Sequence, residues 1–192
     1  MREPIAGDGG DAIEPSDAEL VRGVVAGERI AFERIYRRHA DAVFALLTRL
    51  IGPDREREDL LQETFIRLHP ALGRFRGECA LRTFVFQIAT RVAIDHLRRR
   101  RRTPTELDDF DLDGEIDPRA TPVEQAQRRE QLARAVEVLG KLRPKLRVAF
   151  VLREVMDLSH EEVARIVDAR PAAARMRVAL AKRAIAKLGR HT

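Results

Sequence analysis

The chain has few cysteines and few aromatic residues, and it has no long apolar run. Its 192 residues include one cysteine, Cys79, no tryptophan and only 5% aromatic residues. A single cysteine excludes an internal disulfide, so we expect a reducing compartment and interpret Cys79 as a small packing residue. No apolar run approaches the roughly 20 residues of a membrane helix, and the acidic N-terminus lacks the apolar segment of a signal peptide. We therefore expect a soluble, cytoplasmic protein.

The sequence also lacks the common patterns of catalytic and metal sites. It has no glycine-rich phosphate loop and no nucleophile elbow, and its cysteine and histidines do not follow zinc-ligand spacing. These histidines are His39, His69, His96, His160 and His191. Asp59 and Glu63 form an acidic pair four residues apart that could serve a metal, but contact with a basic partner fits it better. We predict no enzyme activity, no cofactor or metal, no small-molecule substrate and no membrane insertion.

Charge is abundant, at 35% of the residues, and it is segregated along the chain. Residues 21–102 hold 18 basic and 10 acidic residues, and residues 121–192 hold 16 basic and 8 acidic ones. Residues 103–120 hold seven acids and one arginine, and residues 1–20 hold six acids and one arginine. Two basic blocks separated by an acidic strip indicate a partner that is a polyanion, of which nucleic acid is the usual one.

Apolar residues recur with helical spacing, so an all-α fold is expected, with two small helical domains. We predict an acidic flexible tail over 1–16, a helical bundle over 17–102, an acidic flexible linker over 103–120 and a helix-turn-helix domain over 121–192. Four helices are predicted in the bundle. The first is capped by Asp17 and ends near Gly27, and the second is stopped by Gly52-Pro53. The third is capped by Asp54 and ended by His69-Pro70, and the fourth runs from Leu81 to Arg102.

The helix from Leu81 to Arg102 ends in five consecutive arginines, beginning at Arg98. One or two cations would satisfy the helix dipole, so a run of five indicates a polyanionic partner. A solvated helix end is the alternative interpretation.

The second half carries the signals of a helix-turn-helix. A capping box at Thr121–Glu124 opens a helix that reaches about residue 142 with Leu132, Val136, Leu139 and Leu142 inward. Pro144 starts another helix, with Leu146, Phe150 and either Leu152 or Val151 inward. Ser159 and Glu162 form a second capping box. Asp168 suits a left-handed turn. The final helix, from about Pro171 to Leu188, has no acidic residue, which favours insertion into a DNA groove.

Three blocks then carry a resemblance to a known family. Residues 59–68 read DLLQETFIRL, residues 75–99 contain FRGE, LRTF, IA and DHLRR, and residues 152–164 contain LRE, LS and EEVA ahead of the basic helix. In this order, the blocks resemble the bacterial RNA polymerase sigma factors, specifically the extracytoplasmic-function (ECF) group of the sigma-70 family. The resemblance implies a sigma region 2-like domain, a region 4-like domain and an acidic linker that threads the nucleic-acid channel of the polymerase.

The resemblance also implies partners and site residues. The partners are core RNA polymerase, through its β′ clamp helices and β flap, promoter DNA and an anti-sigma factor. Polymerase binding is assigned to Asp59, Leu60, Gln62, Glu63 and Phe65. Melting and reading of the −10 element is assigned to Phe75, Arg76, Arg82, Thr83, Phe84, Arg91, Arg98, Arg99 and Arg100. Reading of the −35 element is assigned to Ser159, Arg170, Ala173, Arg175, Arg177, Lys182 and Arg183.

Four departures from the family pattern leave the promoter sequence open. Phe84 replaces a tryptophan, Arg91 a frequent asparagine and Asp168 a turn glycine, and the last helix opens with three alanines from Ala172. The alternative function is a stand-alone helix-turn-helix regulator that binds DNA without polymerase. That alternative leaves the DLLQETF helix and the acidic linker without a role.

Overall fold

The computed structural model describes residues 14–52, 56–102 and 122–188, and its regular elements in these ranges are all helical, which confirms the all-α prediction. The helices are α1 (Asp17–Val25), α2 (Arg29–Ile51), α3 (Arg57–Leu72), α4 (Leu81–Arg102), α5 (Pro122–Gly140), α6 (Pro144–Phe150), α7 (His160–Ile166) and α8 (Pro171–Leu188). A π-helical turn, Val151–Val155, follows α6. The predicted N-terminal tail, the Asp54 cap, the acidic linker and the start of the Thr121 capping box lie outside the described residues, apart from residues 14–16 of the tail.

The first half is a bundle in which α4 packs against both α2 and α3. The central turns of α4 are buried on a broad face that includes Val85, Phe86, Ala89 and Val92. In addition, α4 packs against α7 from the second half of the chain. The helix with the arginine run is therefore the structural centre of the bundle.

Two helix ends in the first half differ from the prediction. Ser16, not Asp17, is the N-cap of α1: its hydroxyl accepts from the Glu19 backbone N–H at 3.3 Å, and the Glu19 carboxylate accepts from the Ser16 N–H at 2.8 Å. Asp17 instead accepts a hydrogen bond from Arg38 at 2.7 Å. The capping box prevails because it satisfies two backbone donors at once.

The third helix does not end at His69-Pro70. It continues to Leu72 with Pro70 inside its last turn. Leu68 and Leu72 are both buried on the core side of α3. Proline has no backbone N–H, so the helix lacks one hydrogen bond at Pro70. The burial of these two leucines offsets that loss of stability.

The second half differs from the prediction in its inward face. Val136, Leu139 and Leu142 are buried as predicted, whereas the side chain of Leu132 lies outside the described residues. Leu146 and Phe150 are only half-buried. Val151 and Leu152, of which one was predicted inward, are both buried, and Arg147, Val148 and Ala149 are buried as well. Arg147 is buried because its guanidinium donates to the carbonyls of Leu50 and Gly140, a tertiary contact that helical periodicity does not predict.

The helix-turn-helix unit, α7 and α8, matches the prediction closely. Ser159 caps α7 in a reciprocal capping box with Glu162. Asp168 has φ of 48°, the left-handed turn conformation predicted for it. The second helix begins at Pro171 and is described to Leu188, as predicted. No helix in the described ranges has the length and apolar character needed to cross a membrane.

Candidate nucleic-acid and protein interfaces

One face of α3 combines acidic and polar side chains with an exposed apolar one. Asp59, Gln62, Glu63 and Ile66 follow each other at the i, i+3, i+4 and i+7 positions, which places them along one line of the helix. Asp59 and Gln62 are exposed, and Ile66 is 70% exposed. The Glu63 carboxylate accepts a hydrogen bond from Arg67. We name these four residues the α3 face. Its acidity and its large exposed isoleucine suit a protein partner with basic groups.

Two residues expected at this interface lie in the core instead. Leu60 is 2% exposed and Phe65 is 4% exposed. The Phe65 ring packs edge-on against Phe32, with centroids 6.4 Å apart, and against Tyr36 at 4.6 Å. Leu60 and Phe65 therefore hold α3 in the bundle and do not reach a surface partner in this structure. Ile66 was not among the residues expected at this interface. Its position seven residues after Asp59, on the same side of a helix, could have predicted it.

An aromatic pair lies where the loop after α3 meets α4. The rings of Phe75 and Phe84 are 5.1 Å apart at 45°, and both are half-buried. Arg76 is exposed in the same loop, next to Gly77 with φ of 73°. Aromatic surface beside cations is the combination that binds an unstacked base and its phosphate.

The arginines of α4 point in different directions. Arg91 and Arg98 are exposed, and the Arg98 guanidinium lies 3.7 Å from Asp95. Arg99 lies 3.9 Å from Glu63 of the α3 face. Arg100 is half-buried, and the side chains of residues 101 and 102 lie outside the described part. The α3 face and the basic end of α4 are thus electrostatically connected.

The second half covers the beginning of α4. Thr83 is 1% exposed, and its hydroxyl donates to the Glu162 carboxylate of α7 at 3.0 Å. Arg82 donates to the backbone carbonyl of Met156 at 3.2 Å, and its guanidinium lies 5.0 Å from the centroid of the Phe86 ring. Arg82 and Thr83, expected to face DNA, are therefore bound to the other half of the chain in this structure. Sequence patterns could not reveal Glu162 as their partner, because it lies 79 residues from Thr83.

Glu162 is held ionised at this contact. The backbone N–H of Ser159 lowers the pKa of the Glu162 carboxyl most; burial opposes it, and the hydroxyls of Ser159 and Thr83 and the charge of Arg82 lower it further. The same carboxylate thus completes the cap of α7 and joins α7 to α4.

The α8 helix carries most of the residues expected at the −35 element. Arg170, Arg175, Lys182 and Arg183 are exposed, whereas Ala173 and Arg177 are half-buried. Two of the cations are paired: Arg175 lies 3.3 Å from Glu161 and Lys182 lies 2.7 Å from Glu154. The Ser159 hydroxyl is engaged in the α7 cap, where it donates to Glu162 at 2.8 Å. This surface is strongly basic, and a polyanion would compete with Glu161 and Glu154 for Arg175 and Lys182.

The described residues contain no group of three histidine, cysteine or acidic side chains placed to hold a metal ion.

Two family models match the chain over most of its length. The sigma-70 region 2 model matches residues 35–103, and the sigma-70 region 4 model matches residues 132–185. The RNA polymerase sigma-H factor of Pseudomonas aeruginosa is 31% identical over 181 residues, covering 91% of this chain and 94% of that protein. The ECF RNA polymerase sigma-E factor of Escherichia coli K12 is 32% identical over 178 residues, covering 88% of this chain and 92% of that protein.

Solved structures share the fold. CnrH in complex with the cytosolic domain of CnrY superposes with a TM-score of 0.67 at 24% identity, covering 90% of this chain and 96% of CnrH. The sigma factor RpoE of Bartonella quintana, in complex with the anti-sigma factor NepR, gives 0.64 at 18% identity, covering 83% and 96%. With both region models matched and relatives above 30% identity along almost the whole chain, this protein belongs to the ECF group of the sigma-70 family and is a promoter-specific transcription initiation factor.

Proposed function

We propose that this initiation factor divides its work between residues 17–102, which bind core polymerase and the −10 element, and residues 121–192, which bind the −35 element. Residues 103–120 connect the two domains. The observation that carries the proposal is the exposure of the α3 face on the same bundle that presents Phe75, Phe84 and the arginines of α4. One rigid bundle can then hold polymerase on one side and open DNA on the other.

The α3 face is the proposed contact with the β′ clamp helices of the polymerase. Asp59, Gln62 and Glu63 supply acidic and polar groups for a basic partner, and Ile66 supplies apolar area at the centre of the contact. Leu60 and Phe65 act indirectly, since they fix the position of α3 from within the core.

Single-stranded −10 DNA is the proposed ligand of the loop and the outer side of α4. Phe75 and Phe84 offer a stacking surface, and Arg76 with Arg91 offers charge for phosphates. Further phosphate contacts are proposed for Arg98, Arg99 and Arg100. Thr83 can join this surface only when α7 moves away from α4, because it is buried and donates to Glu162 of α7. Arg82 is exposed and would have to leave the carbonyl of Met156.

The second domain is proposed to read duplex DNA with α8 and to contact the β flap of the polymerase. The exposed cations of α8 would bind phosphates along the groove. The seven acids of residues 103–120 would occupy the basic nucleic-acid channel of the polymerase between the two contacts.

Regulation by an anti-sigma factor is part of the proposal, since RpoE of Bartonella quintana was solved with one. We also propose that the chain itself catalyses no reaction and acts wherever the polymerase is, in the cytoplasm. Polymerase supplies the chemistry, and this chain supplies the choice of promoter.

Co-elution with core polymerase tests the proposal. Glu63→Lys places a cation on the α3 face and should weaken co-elution by about tenfold or more, because like charges across an interface repel. Asp41→Lys is the matched control: Asp41 is exposed on α2 and not on α3, so the same change of charge there should leave co-elution unchanged. Equal co-elution of wild type and Glu63→Lys contradicts the proposed polymerase contact.

A further inference from the structure

The exposed side of α8 has an apolar centre. Ala174, Val178 and Ala181 are buried against the rest of the second half, whereas Met176 is 62% exposed and Leu180 is 42% exposed. With about 100° between successive helix positions, Met176 lies on the opposite side of α8 from Val178. Leu180 continues the same line one turn later. A methionine thus occupies the middle of the surface that α8 offers to a ligand.

The neighbours of Met176 on this face are also apolar. Ala172 and Ala179 are exposed beside it, and they carry no hydrogen-bonding group. The first two and a half turns of α8 therefore present no side-chain donor or acceptor along the outward centre line.

Cations flank this apolar line on both sides. Arg175 and Lys182 lie about 100–120° around α8 on one side of Met176, and Arg177 lies about 100° away on the other. Arg183, seven residues after Met176, lies about 20° from the line and ends its apolar part. From Pro171 to Leu188, the helix has no acidic residue. A helix lying in the major groove turns its centre line toward the base edges and its two sides toward the phosphates of the two strands. The arrangement of α8 matches that geometry.

Base edges in the major groove offer one apolar group, the 5-methyl group of thymine. The other edge groups are hydrogen-bond donors and acceptors, which a methionine side chain and alanines do not satisfy. The flanking positive charge disfavours a basic protein as the occupant of this face and favours DNA.

We propose that Met176, continued by Leu180, reads thymine 5-methyl groups in the −35 element. The choice of promoter by this factor therefore depends on an apolar contact at positions where an arginine or a glutamine would form bidentate hydrogen bonds. This inference rests on the proposed binding of the −35 element by the second domain.

The test removes the methyl group from the DNA and its partner from the protein. A promoter that depends on this chain is first identified by run-off transcription with core polymerase. Each thymine in its −35 region is then replaced singly by deoxyuridine, which lacks only the 5-methyl group. Binding is measured with the complete holoenzyme at sub-saturating concentration.

At one or two thymines, the replacement should weaken binding of the wild-type holoenzyme by about fourfold, the factor expected for one methyl-sized group removed from water. Met176→Ala should weaken binding to the unmodified promoter by a similar factor and abolish sensitivity to deoxyuridine at that position. Met176→Leu should keep the sensitivity, because leucine preserves apolar contact.

Ile30→Ala is the matched control, since Ile30 is 66% exposed on α2 and distant from α8 in sequence. This variant should retain full sensitivity to deoxyuridine. The inference is overturned if no thymine replacement affects binding. It is also overturned if Met176→Ala weakens binding equally to the unmodified and the deoxyuridine-substituted promoter, or if Met176→Ala affects only the binding of a protein partner. Failure of run-off transcription on unmodified promoters would instead overturn the proposed function.

Discussion

The Thr83 hydroxyl donates a hydrogen bond of 3.0 Å to the Glu162 carboxylate and so joins the first turn of α4 to the first turn of α7. Arg82 and Gln87 add bonds from α4 to the backbone carbonyls of Met156 and Arg165, at 3.2 Å and 3.4 Å. The two halves of the chain share one apolar core across this contact. A surface proposed for promoter DNA is therefore part of an internal interface of the protein.

Thr83→Val should lower the free energy of unfolding by about 1.5–3 kcal/mol, because valine preserves the shape but removes a hydrogen bond to a charged group. Urea denaturation of the full chain measures the change. Thr90→Val is the matched control: Thr90 is equally buried on α4, and its hydroxyl has no hydrogen-bond partner in the described part of the chain. The control should be neutral or stabilising. Equal losses in the two variants would show that the Thr83–Glu162 bond contributes nothing.

Arg147 makes a second connection between the halves, at two helix ends. Its guanidinium donates to the carbonyl of Leu50, near the end of α2, at 2.7 Å, and to the carbonyl of Gly140, the last residue of α5, at 2.7 Å. Carbonyls at helix C-termini lack intrahelical donors and attract cations. Arg147→Ala should cost about 3 kcal/mol of unfolding free energy, since two carbonyls lose a charged donor.

Arg147→Lys should recover part of that loss, because an ammonium group keeps the charge but not the forked geometry that serves two acceptors. Differential scanning calorimetry can rank the three proteins. If Arg147→Ala melted at the same temperature as wild type, Arg147 would not stabilise the ends of α2 and α5.

Phe65→Ala and Ile66→Ala compare two adjacent residues of α3 with opposite environments. The Phe65 change should destabilise the fold by about 3–5 kcal/mol, as expected for truncating a buried phenylalanine. The Ile66 change should leave stability within about 0.5 kcal/mol of wild type, because Ile66 is exposed, while weakening co-elution with core polymerase. Thermal melts and co-elution separate the two effects. If Phe65→Ala lost co-elution without losing stability, Phe65 would contact the polymerase directly, which would contradict its role in the core.

Arg175→Glu with Arg177→Glu should weaken promoter recognition by the holoenzyme by at least about tenfold, because lost phosphate contacts and new repulsion act together. Co-elution with core polymerase should be unchanged, since these arginines lie on α8 and not on the α3 face. Lys141→Glu with Lys145→Glu makes the same change in net charge at exposed positions outside α8. If the control pair impairs recognition equally, net charge and not the α8 surface is responsible.

The sequence predicted elements whose signals are local. The Ser159–Glu162 capping box, the left-handed turn at Asp168 and the start of α8 at Pro171 each depend on a few neighbouring residues, and all were confirmed. The N-cap of α1 was misassigned because Ser16 and Asp17 are both good caps, and only the position of Glu19 distinguishes them.

Features that depend on tertiary packing escaped the sequence. The continuation of α3 through Pro70 requires the burial of Leu72, and the burial of Arg147 after Pro144 depends on the distant carbonyls of Leu50 and Gly140. Ile66 is different, since helical spacing does separate it from buried Leu60 and Phe65, and the site was assigned from the motif and not from that spacing. The Thr83–Glu162 contact spans 79 residues, so no periodicity could reveal it.

Run-off transcription over a library of promoters, with core polymerase and with or without this chain, tests the assignment of function most directly. The expected result is transcription from a discrete set of promoters only when the chain is present, with no tight sequence-specific duplex binding by the chain alone. A chain that binds specific duplex sites tightly without polymerase and stimulates no transcript would contradict the assignment and favour a stand-alone helix-turn-helix regulator.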